Sequence, residues 1–148
     1  MTGGPYDFQV VVDSATPHEL ADWWAEALGW AVEPADEAFI RRMIGEGYAA
    51  VDDTMRHNGM LVWKAGAAIR PPGEPLRGPG RRILFQFVPE AKTVKNRLHL
   101  DIWVGADNVE AEQARLTGRG ARFLHSGQQG PHGWVTMADP EGNEFCLS

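Results

Sequence analysis

The sequence predicts an α+β fold built of two βαβββ modules, and three observations predict it. The order strand–helix–glycine–strand occurs twice in the 148 residues. Landmarks of the two copies recur at nearly one offset, 92 residues from Val12 to Val104 and 91 from Gly29 to Gly120, as an internal duplication requires. Within KNRLHLDIWV (95–104), residues 98–104 alternate, with Leu98, Leu100, Ile102 and Val104 on one side of a strand and His99, Asp101 and Trp103 on the other. Two half-sheets of this kind bury one face on their helices, and the opposite face can curl around a cavity.

Each element has its own reason. YDFQVVVD (6–13) is rich in β-branched residues and reads as a strand. A helix follows over 14–29, with Thr16 as N-cap, Pro17 at the first helical position and Glu19 three residues past Thr16, as in a capping box. Leu20, Trp23, Trp24, Ala27 and Leu28 form its apolar stripe, and Gly29 sits where a helix end favours positive φ. WAVE (30–33) reads as a short strand, and 36–47 as a second helix with Phe39, Ile40, Met43 and Ile44 on one side. Residues 48–59 carry no clear period until the Asn58-Gly59 turn, which leads into a strand over 60–64. Residues 67–82 hold four prolines and three glycines and read as a loop.

ILFQFV (83–88) is a strand, and 89–96 links it to the alternating segment. The second module, about 97–148 against about 5–88 for the first, then continues with a helix over 107–120, with Asp107 as N-cap and Val109 and Leu116 near one face. Strands over 121–126, 133–138 and 144–148 follow, the last two joined by the DPEGN turn.

Composition narrows the function classes. The formal net charge of −6 argues against a sequence-independent nucleic-acid surface. The one basic cluster, Arg77, Arg81 and Arg82, lies in the Pro/Gly-rich stretch and reads as solvated loop. The single cysteine, Cys146, excludes an intrachain disulfide and suits a reducing compartment. MTGGPYDFQ lacks the charged and apolar regions of a secretory signal, and no run approaches a membrane span. The expectation is a cytoplasmic protein with no nucleic-acid or membrane partner.

The motifs LADWWAEALGW (20–30), VPEAKTVKNRLHLDIWV (88–104), RGARF (119–123) and MADPEGNEFCL (137–147) resemble the vicinal oxygen chelate superfamily of glyoxalase I, bleomycin-resistance proteins and extradiol dioxygenases. More narrowly they resemble its glyoxalase-like domain proteins. The resemblance implies one domain over 1–148, with the paired modules forming a U-shaped, partly open mixed β-barrel with flanking helices. It also implies a homodimer. In metal-dependent members, the first and fourth strands of each module supply His or Glu to a divalent ion that acts as a Lewis acid.

Carried onto this sequence, the resemblance puts those positions at Gln9 (or Asp7), Gln86, His99 and Cys146. Strand parity gives the same set and continues it through Asp101 and Trp103. Two of the four positions are amides, which are weak ligands, and the last-strand Glu is a thiol. The expectation is therefore a small-molecule-binding domain without a strong metal site, taking an aromatic or amphipathic metabolite. Asp7, Gln9, Gln86, His99, Asp101, Trp103 and Cys146 line its site. Both Glu positions are replaced, which speaks against glyoxalase I activity.

Alternatives stay open. A divalent-metal-dependent lyase, isomerase or dioxygenase would use His99, Cys146 and Asp7 or Gln9. A regulatory module would fill the cavity with its own side chains. His99 is either a ligand or a neutral histidine hydrogen-bonded to Gln86 or Asp101. Cys146 is a small buried group or a thiolate with His99 as base. Trp63, Trp103 and Trp134 line a cavity or pack a core, and Lys95 and Arg97 either hold an anionic group or are solvated. His18, His57, His125 and His132 receive no role.

Overall fold

The computed structural model describes residues 3–75 and 80–148. The chain divides into two compact units, Met1–Glu90 and Ala91–Ser148. In the first unit come β1 (Val10–Ser14), α1 (Pro17–Leu28), β2 (Ala31–Val32), α2 (Glu37–Gly45), β3 (Thr54–His57), β4 (Met60–Trp63), β5 (Gly66–Arg70) and β6 (Ile83–Phe87). In the second come β7 (Leu100–Ile102), α3 (Val109–Gly118), β8 (Arg122–Gln129), β9 (His132–Ala138) and β10 (Glu144–Leu147).

Each unit is one βαβββ module. The first sheet has the order β1-β6-β5-β2 and the second β7-β10-β9-β8. In both, the first and last strands pair in parallel at one side, and the remaining pairs are antiparallel. The first module carries an insertion between its second and third sheet strands, made of α2 and the β3–β4 hairpin. Each sheet ends in two edge strands, so neither closes on itself.

In the first module Ile69, Ile83 and Phe85 pack beneath α1, whose Leu20, Ala21, Trp23 and Trp24 are buried. The two indoles meet edge to face at 5.1 Å. In the second, Met137, Phe145 and Leu147 are buried, and α3 covers them with Leu116.

Several local expectations needed correction. Residues 67–70, expected to be loop, belong to the inner strand β5, with Ala68 and Ile69 at 2% and 0% exposure. The prolines that suggested a loop begin only at Pro71, after the last paired residue. Arg77 lies outside the described residues. Thr16 occupies the N-cap of α1 but makes no side-chain cap bond, so the capping box with Glu19 does not form; instead the Ser14 hydroxyl accepts from the Thr16 N–H at 3.0 Å. Asp107 sits in a 3-10 turn, and Asn108 precedes α3.

Two histidines given no role have structural ones. His57 Nε2 donates to Asp22 Oδ2 at 2.6 Å, and His18 Nε2 donates to the Trp63 carbonyl at 2.7 Å. Together they fasten the β3–β4 hairpin to α1.

Gly66 lets β5 approach the β6 backbone closely. A Cβ there would collide with the backbone carbonyl of Phe85 on β6, and backbone cannot swing away as a side chain can. Gly66→Ala is expected to lose about 1–3 kcal/mol of unfolding free energy, the cost of overpacking. An unchanged melting temperature would contradict this close approach.

Candidate functional site

The second sheet assembles a site from its ladder. Asp101 on β7 is level with Cys146 on β10, Cys146 with Thr136 on β9, and Thr136 with His125 on β8. Level residues share a face, so these four form a polar row across the sheet. His99, two residues before Asp101, adjoins the row, with its Nε2 3.2 Å from Asp101 Oδ1. The Thr136 hydroxyl and Cys146 Sγ are 3.3 Å apart and both buried.

A second row lies beside the first. The Ser148 N–H donates to the Ile102 carbonyl at 3.0 Å, and its own carbonyl accepts from the Val104 N–H at 2.7 Å. These bonds extend the β7–β10 ladder past Ile102 and keep Trp103 on the Asp101 face. Trp134 lies level with Gly127, and a Cβ on Gly127 would come within 2.5 Å of the Trp134 ring. The missing side chain therefore makes room for this indole to lie across the sheet. Trp103 is 88% exposed.

A part-buried carboxylate anchors the segment before His99. Glu144, with a side chain 13% exposed, accepts from Lys92 Nζ at 2.9 Å and from the Asn96 N–H at 3.1 Å. Burial pushes its pKa up, but the bonds from Lys92, its own backbone and the Asn96 amide, with the Lys92 charge, hold it down at about 2. Asn96 also donates to Asn143, and Asn143 donates to Asp139, whose carboxylate organises the DPEGN turn. Two of the four motifs that carried the resemblance, 88–104 and 137–147, thus bind each other, connector against turn. Lys95 and Arg97 are exposed.

The first module places its expected residues differently. Gln86 is level with Asp13, not with Gln9 or Asp7. Gln9 precedes β1, some four residues or about 13 Å of strand away from that level. Its Oε1 accepts from Arg82 Nη1 at 3.0 Å, and Asp7 accepts from the next amide, that of Phe8. Gln9 belongs to an ion network: Arg82 bonds both oxygens of Glu33 at 2.8 and 3.0 Å, and Arg70 Nε bonds Glu33 Oε1 at 2.6 Å.

Ladder levels also revise the duplication. If Gln86 answers to Cys146, then Asp13 answers to Asp101 and Val11 to His99, an offset of 88 rather than 91 or 92. The difference lies after the strands, where the second module inserts a 3-10 turn, Ala106–Asn108, before α3. Sequence reasoning missed Asp13 because it counted back from the helix and not along the ladder. It also missed Thr136 and His125, for which alternation within GWVTMA and ARFLHS was a usable signal.

The structure therefore brings His99, Asp101 and Cys146 together, with Trp103 in the adjoining row. It does not bring Gln9 or Asp7 to the level of Gln86. Among the described residues, His99, Asp101 and Cys146 form a set whose donor atoms all lie within 4.8 Å of one another. A separate cavity of about 550 Å³ in the first module is lined by Asp22, Ala25, Glu26, Gly29, Trp30 and Val32, none of them in the expected set.

Two mixed sheets with the same strand order, each with its helix, define the fold class, and comparison with known proteins agrees. The fosfomycin resistance protein FosX from Mesorhizobium loti is similar over 99% of this chain and 91% of its own, with 7% identity and a TM-score of 0.59. A hypothetical protein, SA1046, from S. aureus is similar over 98% and 97%, with 10% identity and a TM-score of 0.58. A glyoxalase/bleomycin resistance protein from Albidiferax ferrireducens T118 is similar over 94% and 93%, with 14% identity and a TM-score of 0.54. At such identities the likeness shows the fold alone.

A family model described as a glyoxalase-like domain matches residues 9–148, and the chain belongs to that family. No curated protein matches it. No helix among the described residues is long and apolar enough to cross a membrane.

Proposed function

We propose that residues 1–148 act as one glyoxalase-like domain that binds a small aromatic or amphipathic metabolite on the open face of the second sheet. One observation carries this reading: a polar row (Asp101, Cys146, Thr136, His125) lies directly beside a row containing Trp103 and Trp134. A molecule with a flat apolar body and a polar end matches that pattern. The indoles supply contact area, while His99 and Asp101 supply a donor and an acceptor that orient the polar end. The domain is read as cytoplasmic and homodimeric; Leu98, 88% exposed, is apolar surface that a second copy would cover.

The test is titration calorimetry against a panel of small aromatic acids, phenols and indoles, on protein treated with EDTA. At least one member should bind saturably, and Trp103→Ala should weaken it about tenfold, the scale of one aromatic contact. Binding by no member, or equal binding by Trp103→Ala, would remove this reading. A second reading, a divalent-metal-dependent lyase, isomerase or dioxygenase, is favoured by the three clustered donors His99, Asp101 and Cys146.

A further inference from the structure

We infer that the cavity of the first module is a separate binding site for a small organic cation, an ammonium group carried on an apolar body. It shares no residue with the metabolite face proposed for the second module and stands or falls apart from it.

The cavity comes first. Its volume of about 550 Å³ lies in the range of small-molecule sites. Asp22, Ala25, Glu26 and Gly29 recur at spacings of three and four, so they share one face of α1 and form a wall with it. Trp30 and Val32, at the start of β2 and within it, complete the lining.

The lining carries one sign of charge. Its two ionisable side chains, Asp22 and Glu26, are carboxylates one helical turn apart, and none of the lining residues is a lysine, arginine or histidine. The helix adds to them. The carbonyl end of α1, negative by its macrodipole, reaches the lining at Gly29, and no basic residue occupies its last turn. Both features cost the helix stability: like charges one turn apart repel, and an acid in the last turn opposes the dipole. A local cost of this kind, spent on concentrating negative potential in a cavity, suits a bound cation.

Asp22 is already oriented. Its Oδ2 accepts from His57 Nε2 at 2.6 Å and from Asn58 Nδ2 at 3.4 Å. Both bonds fall on one oxygen, so the β3–β4 hairpin fixes the carboxylate and leaves Oδ1 to a ligand. The Asp22 side chain is 42% exposed, within reach from solvent. Trp30, half-buried beside Ala25 and Val32, supplies the apolar counterpart. Its ring accepts hydrocarbon on its face and attracts an ammonium through the ring quadrupole. An anion would be repelled, and a neutral body would leave the carboxylates without a counter-charge.

The experiment titrates the full chain with phenethylamine, and with phenethyl alcohol as its neutral match. Calorimetry and amide chemical shifts follow binding at about pH 8, above the range in which histidine ordinarily carries charge. The amine should bind saturably with a Kd of about 1 mM or below, shifting amides of residues 22–32, and the alcohol should bind about tenfold more weakly. Glu26→Gln, a change on an exposed side chain, should weaken the amine about fivefold, the scale of one exposed ionic contact. Absence of saturable amine binding would overturn the inference. Equal binding of the alcohol would do the same, as would Glu26→Gln binding the amine like the parent. Shifts confined to residues 98–104 would place the probe on the second module and overturn the assignment to this cavity. The melting temperature of Glu26→Gln separates a lost contact from a lost fold, and the alcohol comparison, which needs no variant, decides if that protein unfolds.

Discussion

Glu33→Gln is expected to destabilise the first module by about 3–5 kcal/mol, the range for removing one partner of a buried ion pair. Glu33 accepts from two guanidinium groups, those of Arg70 and Arg82. Arg70 is 2% exposed, so it depends on a charged acceptor far more than a surface arginine does. The bidentate bonds from Arg82 hold the Glu33 carboxyl below its usual range; burial opposes them, and Arg70 adds to them. A neutral amide keeps the shape but removes the charge that both guanidinium groups face. Arg82→Lys should cost less, since Arg82 is partly exposed and a lysine loses mainly the fork geometry. Urea unfolding of the two variants measures both effects. A loss below about 1 kcal/mol for Glu33→Gln would place the network with ordinary surface pairs.

The second large effect is acid sensitivity of the second module. The Glu144 pKa drops from 4.5 to about 2 on folding. A group depressed in the folded state stabilises above its unfolded pKa and loses that contribution as pH falls toward the folded value. The contribution is roughly 3 kcal/mol at neutral pH, and it disappears between about pH 4.5 and pH 2. Glu144→Gln should therefore be less stable than the parent at pH 7, and the two proteins should converge in stability near pH 2. Denaturant unfolding across that range, in EDTA, measures the gap. A gap independent of pH would mean that the Lys92 and Asn96 bonds do not depend on the charge. Because Glu144 anchors the connector leading to His99, its protonation should also loosen the strand that carries the site.

Much of the fold is legible in the sequence. Gly29 takes φ +69 and closes α1 as its position suggested. Asn58 and Gly59 both take positive φ and turn the β3–β4 hairpin. The 67–82 loop failed because composition averages over a window: four prolines outweighed the four residues before them, Ala67–Arg70. The strand after the connector proved shorter than its alternation, since Leu98 lies outside the ladder and is 88% exposed.

His99, Asp101, Trp103 and Cys146 could be placed on one face from alternation and resemblance, because parity along a strand is a local property. Which residue stands opposite which is not local. It depends on ladder register, set by the whole sheet and by the turn inserted before α3. Register put Asp13, not Gln9, beside Gln86; it put Thr136 against Cys146 and drew Gln9 into the Arg82–Glu33 network. The sequence by itself determined the two modules, their order and the residue types on the candidate face. Tertiary structure decided which of those side chains meet, because contacts between strands far apart in the chain follow from pairing energies that no short stretch contains.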